Sequence, residues 1–342
     1  MTLNNGYLGL HHPNSTPKPK SESMPMTGRN LALWYRQFGD PVDVLTLESS
    51  SLAPCSAGLL RVQMHYAPVN ASDLIPITGA YRHRVAPPQV AGYEGVGTVI
   101  SAPSAYSHLV GQRVLPLRGV GCWQHYVDID PQLAIPVPED IKSTLAARAY
   151  INPLAALLML QQWPVSGKNV LITAGGSACA LLLAQWAKLH GARRVVVVYR
   201  ASAHAERLHA LDLTALQDNA REAIEAVSAQ TDIVFDAVGG DVGQLIWRTL
   251  PEHAHFVAYG VLSGTPVKVN ATRPALHWFH VRHTLGDIGA APWQQLFSKI
   301  WPLLRDSECG EVEIFPMSEW RAAIESYHQS GRTRKPLLCL DE

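Results

Sequence analysis

Three groups of residues in this 342-residue chain have the types and spacing to do chemistry. The first is a turn of small residues, Ala174-Gly175-Gly176-Ser177, entered from the apolar run Asn169 to Thr173 and leading through Ala178 into a predicted helix that stops at Gly191. Small side chains here let backbone N–H groups and a helix N-terminus approach a pyrophosphate, whose charge the helix dipole favours. Against the string Gly-x-Gly-x-x-Gly the aligned positions are Gly175, Ser177 and Ala180, so an ordinary buried strand-turn-helix is the competing reading. The second group closes the next apolar run at Tyr199 and Arg200, with the first acid, Glu206, only well into the following segment. An acid at this point recognises a ribose 2′-hydroxyl and an arginine a 2′-phosphate, so the pattern favours NADPH over NADH; a solvated cation is the alternative for Arg200. The third is Tyr81-Arg82-His83-Arg84, a concentrated basic patch whose Arg82 and Arg84 either offer bidentate contacts to a phosphate or sit solvated on a loop.

Other chemistries are excluded by composition. Lys plus Arg and Asp plus Glu each total 28, and charged residues are 16% of the chain, against about 25% in an average protein. Nucleic-acid binding normally needs a basic excess, so no nucleic acid is expected as a partner. The five cysteines, Cys55, Cys122, Cys179, Cys309 and Cys339, are scattered without a Cys-x-x-Cys pair, which argues against a disulfide framework or a structural zinc lobe. With 15 histidines, the run His277 to His283 reads either as cleft lining or as packing. Residues 1–28 read as a flexible tail whose His11-His12 pair is more simply polar than metal-binding. No signal core or membrane span is apparent, and a cytoplasmic protein without a membrane partner is expected.

The elements that must position these groups change character along the chain. From Leu31 to Glu139 the pattern is β-like, with strands predicted at Leu31–Phe38, Val42–Leu47, Leu59–Tyr66, Gly95–Ile100, Arg113–Leu117 and Trp123–Ile129. Ser143 to Leu160 reads as helical. Apolar strands at Val170–Thr173, Arg194–Tyr199, Ile233–Asp236, Phe256–Tyr259 and Thr284–Ile288 then alternate with amphipathic segments, which predicts an α/β doubly wound parallel sheet. Two helices, Trp293–Leu304 and Ser318–Ser330, and a strand, Pro336–Leu340, follow.

Ala67-Pro68-Val69-Asn70-Ala71-Ser72-Asp73, Gly79-Ala80-Tyr81, Gly92-Tyr93-Glu94-Gly95-Val96-Gly97-Thr98-Val99, Ile151-Asn152-Pro153, the turn at Ala174–Ala180, Asp236-Ala237-Val238-Gly239-Gly240 and Tyr259-Gly260 follow one another in an order that resembles the medium-chain dehydrogenase/reductase superfamily. Its zinc-independent branch holds the quinone oxidoreductases and the mitochondrial-type trans-2-enoyl-thioester reductases. The resemblance implies a Rossmann-type domain over 150–288 inserted into a β-rich GroES-like catalytic domain formed by 29–149 and 289–342, and a possible homodimer. It implies cofactor contacts from Asn152, Gly175, Gly176, Ser177, Ala178, Tyr199, Arg200, Val238, Gly239, Tyr259 and Gly260. Asn70, Arg82 and Arg84 become substrate-side residues. Zinc-dependent members carry a Cys before the Ser-Asp element and a His in Gly-His-Glu; here no Cys precedes Ser72 and the second element is Gly92-Tyr93-Glu94, so no metal is expected.

Gly79-Ala80-Tyr81 and Asn152-Pro153 resemble the enoyl-thioester reductases more than the quinone reductases. That likeness implies that Tyr81 sits beside the nicotinamide and assists protonation, and that the Asn-Pro element holds the cofactor's carboxamide. Hydride addition to the β-carbon of an enoyl thioester builds an enolate that needs hydrogen-bond donors, and a tyrosine hydroxyl remains a donor at neutral pH. Arg82 and Arg84 would then face phosphates of CoA or a phosphopantetheine carrier. The chain departs from that family at Leu154-Ala155, where a threonine is usual, and at Asp287-Ile288, where an aromatic lines the acyl site. A carboxylate beside an acyl tunnel is costly unless paired, which predicts a short, polar or carrier-bound substrate. A quinone or enone reductase, or a cofactor-binding protein without catalysis, are the alternatives.

Overall fold

The computed structural model describes residues 28–119, 121–269 and 274–341. The tail read at 1–28, with His11 and His12, lies outside the described residues except for Gly28. Strand β1 (Arg29–Tyr35), helix α1 (Pro41–Val44) and strands β2 (Leu45–Ser51) and β3 (Leu60–Pro68) open the fold. Helix α2 (Ala71–Leu74) precedes β4 (Gln89–Val90), β5 (Val96–Ser101), β6 (Arg113–Pro116), β7 (Tyr126–Ile129) and β8 (Ala134–Pro136). Helices α3 (Ser143–Ala146) and α4 (Ile151–Gln162) lead into the alternation β9 (Asn169–Ile172), α5 (Ala178–Leu189), β10 (Arg194–Tyr199), α6 (Ala205–Ala210), β11 (Thr214–Gln217), α7 (Arg221–Ser228), β12 (Ile233–Asp236), α8 (Gly240–Thr249), β13 (His255–Ala258) and β14 (Ala275–Trp278). The chain closes with α9 (Val281–Leu285), α10 (Ala290–Arg305), β15 (Val312–Pro316), α11 (Trp320–His328) and β16 (Lys335–Cys339).

The alternating segment forms a six-stranded parallel sheet of order β11-β10-β9-β12-β13-β14. Chain direction reverses its winding between β9 and β12, the switch point outside whose carboxyl ends doubly wound sheets bind ligands. Val196, Val197, Val234, Phe235, Phe256 and Val257 are all buried in consecutive pairs, because helices cover both faces and neither parity of side chain meets water. The remaining strands make a seven-stranded, mainly antiparallel sheet in which β16 pairs with β3 and β15 with β16, and a smaller sheet of order β2-β1-β4. Strands from the two ends of the sequence therefore share one sheet.

A continuous apolar cluster joins the two sheets. Val96, Leu115 and Ile135 from the antiparallel sheet pack with Leu154 to Leu160 of α4, Leu181 and Trp186 of α5, and Trp293 and Phe297 of α10. Helix α4 is apolar all round, as a helix enclosed on every side must be. Trp293 donates its indole N–H to the Leu133 carbonyl at 3.0 Å, so α10 is tied to the antiparallel sheet as well as to the helices of the parallel one.

One predicted strand is corrected. Thr284–Ile288 does not form the sixth parallel strand; that place is taken by Ala275–Trp278, and 281–285 is helical. The His280 imidazole accepts the Arg282 N–H and caps this helix, and Gly286 ends it at φ 49°. Val42–Leu47 begins as a helical turn, because Asp40 caps it from Val42 N–H and Pro41 occupies its first position. Trp123 to His125 precede β7, and the predicted helix 143–160 is interrupted before Ile151. Strands β4, β8, β11 and β15 add to those expected.

Across β13 and β14, His255 Nδ1 meets His277 Nε2 at 2.9 Å, and His277 also packs its ring on Trp163. Burial lowers both imidazoles, His277 being further lowered by His255, and His255 by Lys168 and His253. Folded imidazoles with depressed pKa bind fewer protons than unfolded ones, so their contribution to stability is present above an unfolded value of about 6.5 and is lost as pH falls below it. Thermal melts at pH 7.5 and pH 5.5 are expected to show a larger stability advantage of the native chain over His277→Gln at the higher pH.

Candidate active site

The predicted nucleotide-binding residues all fall at carboxyl ends of parallel strands or at the helix turns beside them. After β9, Ala174 takes a left-handed φ of 57°, Gly175 N–H bonds Val198 O, and Ser177 caps α5 by accepting Ala180 N–H at 3.2 Å. A Cβ at Gly175 would collide with Val197, and one at Gly176 with His204. Both glycines are thus required by close packing, and Ala178 opens α5. Tyr199 ends β10, and Arg200 is exposed with no side-chain hydrogen bond or ion pair among the described residues. Such a guanidinium is available to an anion.

After β12, Asp236 organises the next loop. One carboxylate oxygen accepts the Thr173 hydroxyl (2.6 Å) and Val238 N–H (3.1 Å), the other Gly239 N–H at 2.8 Å. Burial raises its pKa, against these hydrogen bonds. Gly239 has φ 63°, and a Cβ on Gly260 would approach the Ala237 carbonyl to 3.0 Å, so Val238-Gly239 and Tyr259-Gly260 are held against each other. The Tyr259 hydroxyl is buried without a hydrogen bond in good geometry, its near polar neighbour being Ser177. Burial pushes this phenol well above the tyrosine range.

Tyr81 follows the Gly79 turn on the antiparallel side. Its ring meets His280 edge-on, centroids 6.3 Å apart, while the Arg84 guanidinium covers it at 3.9 Å. His280 immediately follows Phe279, whose N–H bonds the carbonyl of Ala258, the last residue of β13. The contact therefore brings Tyr81 to the carboxyl edge of the parallel sheet. Arg82 is exposed, with its Nε donating to the Gly79 carbonyl. Tyr93 lies among the same charges: burial raises its pKa while Arg282 and Arg84 oppose the rise. Burial, Arg84, His283 and Arg282 lower His280, which favours its neutral form.

Behind this surface lies a buried polar knot. Asn70 donates its amide to Asp73 at 3.0 Å and Glu94 at 2.7 Å, and its carbonyl accepts Lys335 at 2.5 Å and the Asn152 amide at 3.3 Å. Burial raises both carboxyls and lowers the ammonium. The predicted substrate residue Asn70 is only 4% exposed and sits within this knot, one residue removed from the surface through Asn152. Sequence reasoning did not assign sites to Asp73, Glu94 or Lys335, nor to His204, Tyr93 or Arg282, and read His280 only within a run that either lines a cleft or packs. Asp73 and Glu94 were recognisable only as acids embedded in apolar, glycine-rich motifs. Among the described residues no group of three or more His, Cys, Asp or Glu is arranged to hold a metal.

The sequence and the fold both have counterparts among known proteins. Residues 56–139 match the alcohol dehydrogenase GroES-like domain family. The chain is 27% identical, over 93% of its length and 90% of the relative's, to a mitochondrial enoyl-[acyl-carrier-protein] reductase of Arabidopsis thaliana. A Bacillus thuringiensis structure assigned as an NADPH:quinone reductase is 32% identical with a TM-score of 0.85, covering 92% of this chain and 99% of that one. The structure of Etr1p with NADP and crotonyl-CoA shares the fold, at TM-score 0.77 and 22% identity, over 91% of this chain and 99% of that one. The chain belongs to the medium-chain dehydrogenase/reductase superfamily, in the branch that contains the enoyl-thioester and quinone reductases. No helix among the described residues is long and apolar enough to cross a membrane.

The Gly176–His204 contact makes a stability prediction. Gly176→Ala should destabilise the fold by about 1–3 kcal/mol, as overpacking does. Gly176→Ala combined with His204→Ala should recover most of that loss, which a double-mutant cycle by urea denaturation would read as a coupling between the two positions.

Proposed function

We propose that the chain is an NADPH-dependent reductase of activated carbon–carbon double bonds, acting on an α,β-unsaturated thioester without zinc. The observation that carries this reading is the meeting of Tyr81 with the carboxyl edge of the parallel sheet through His280. Hydride donors of the dinucleotide class bind at that edge in doubly wound folds. The tight Ala174–Ser177 turn ahead of the α5 N-terminus, the unpaired Arg200 and the underbonded Tyr259 hydroxyl fit such a ligand. The names of the Arabidopsis relative and of the Bacillus structure support the substrate and cofactor classes.

In this reading Gly175, Gly176, Ser177 and Ala178 receive the pyrophosphate, and Tyr199 and Arg200 flank the adenosine, with Arg200 on its 2′-phosphate. Val238, Gly239, Tyr259 and Gly260 form the floor beneath the nicotinamide half, and Asn152 meets the carboxamide. The bound nicotinamide supplies hydride. Addition at the β-carbon moves negative charge to the thioester oxygen, where the Tyr81 hydroxyl donates a hydrogen bond; the α-carbon then gains a proton from Tyr81 or water. Arg84, stacked on the ring, restrains Tyr81 and adds positive charge beside the enolate. Arg82, exposed on the same loop, meets phosphates of the thioester carrier.

The second reading, a quinone or enone reductase, is favoured by the identity to the Bacillus structure and by the apolar Leu154-Ala155 pair after Asn152-Pro153. Turnover separates the two. Crotonyl thioesters should be reduced faster than hexadecenoyl thioesters and benzoquinone; a preference for the longest chain contradicts the short-substrate expectation, and quinone turnover alone contradicts the thioester reading. Tyr81→Phe should lower thioester turnover by roughly 100-fold or more, the scale of a lost general acid. Arg200→Ala should weaken NADPH binding by about 10-fold or more and NADH binding far less, since a charge-assisted contact to the 2′-phosphate is removed. Fluorescence titration of both nucleotides would measure it.

A further inference from the structure

Asn70 occupies a position where its two amide ends face opposite charges. Its Nδ2 lies between the Asp73 and Glu94 carboxylates, and its Oδ1 lies between the Lys335 ammonium and Asn152 Nδ2. Turning the amide over would set a carbonyl oxygen against two carboxylates and an NH2 group against an ammonium. Donor and acceptor assignments of amides are fixed by such networks, and here charge fixes this one. Once Asn70 presents Oδ1, Asn152 can meet it only with Nδ2. Asn152 Oδ1 then accepts no hydrogen bond among the described residues, on a residue that is partly exposed.

The backbone under Asn152 is held by one of the same acids, Glu94. The second oxygen of Glu94 accepts the N–H groups of Tyr150 (3.1 Å) and Ile151 (2.9 Å), two donors at the start of α4 that the helix itself leaves unpaired. Cys179 of α5 places its thiol on the Asn152 carbonyl at 3.8 Å. Lys335 reaches this point from β16, 265 residues away in sequence, with its ammonium 5.6 Å from the Tyr327 ring centre. Burial lowers the Lys335 ammonium while Glu94 and Asp73 oppose that fall, and the ammonium in turn favours both carboxylates, against the rise that burial and the Asp73 charge impose on Glu94.

We propose that Lys335 is a positioning residue that, through the charge-locked Asn70 amide, turns Asn152 so that its Oδ1 accepts an N–H of the nicotinamide carboxamide. The proposal rests on the cofactor reading given above. Without the ammonium, two buried carboxyls share a proton, the protonated one becomes a donor toward Asn70, and the Asn70 amide no longer has a preferred end. Asn152 then presents NH2 or carbonyl to the cleft without selection.

The test compares NADPH with its 3-acetylpyridine analogue, in which a methyl ketone replaces the carboxamide and no N–H is offered. The full chain is expected to bind NADPH about 10-fold more tightly than the analogue, the order of one hydrogen bond lost with a buried partner left unpaired. Lys335→Met should bring that ratio below about 2-fold, in the same range of a lost hydrogen bond. Asn70→Ala, which keeps the ammonium and both carboxylates and so preserves charge balance, should do the same and carries the test if Lys335→Met does not fold. A merely structural role would weaken both ligands alike; a ratio retained in folded Lys335→Met or Asn70→Ala overturns the proposal, as does a native chain that binds NADPH without discriminating against the analogue. Failure of the native chain to bind NADPH at all overturns the cofactor reading beneath it, and is told apart by that result.

Discussion

Burying two carboxylates and an ammonium together is the constraint around which this molecule is arranged. Asp73 and Glu94 come from the β-rich half, Lys335 from the last strand, and Glu94 spends its second oxygen on the first turn of α4, which leads into the parallel sheet. An ion buried alone costs several kcal/mol, a cost that the ammonium and the carboxylates offset for one another here. Chain ends and sheet junction are therefore fixed by one set of hydrogen bonds. Apolar packing of α4, α5 and α10 supplies the area, and the polar knot supplies the register.

That register decides what meets at the cleft. Asn152 stands at the start of α4 because Glu94 satisfies the backbone just before it, and Tyr81 stands beside His280 because the Gly79 turn returns the chain toward α9. Residues from four strand ends of the parallel sheet form one wall. In the proposed site, Tyr81, Arg84 and Tyr93 face them. A neutral total charge conceals local imbalance: Arg200 is exposed at the end of β10, and Arg84 and Arg282 lie beside Tyr93.

What could be read from sequence was what is local. The strand-turn-helix at Ala174–Ala180 announced itself through small residues between two apolar runs, and its glycines are indeed required by contacts to Val197 and His204. The parallel strands at Arg194–Tyr199 and Ile233–Asp236 stand where their apolar runs placed them, since burial on both faces leaves an uninterrupted signal. Thr284–Ile288 failed because Thr, Leu and Ile suit a strand as well as a short helix, and the deciding feature is the His280 cap, which no apolar pattern reports. The Lys335 contact was illegible for a different reason. It depends on pairing between β16 and β3, and nothing near Lys335 in sequence says which buried acids it will meet.

The central claim, that Tyr81 and the carboxyl edge of the parallel sheet form one reductase site, is tested most directly by following the transferred hydride. Crotonyl thioester reduced by NADPH deuterated at C4 on the transferred face, in ordinary water, should yield product with one deuterium at the β-carbon and a solvent proton at the α-carbon, read by NMR. Product without deuterium at the β-carbon, or no product while the same preparation consumes NADPH with a quinone, would contradict the account.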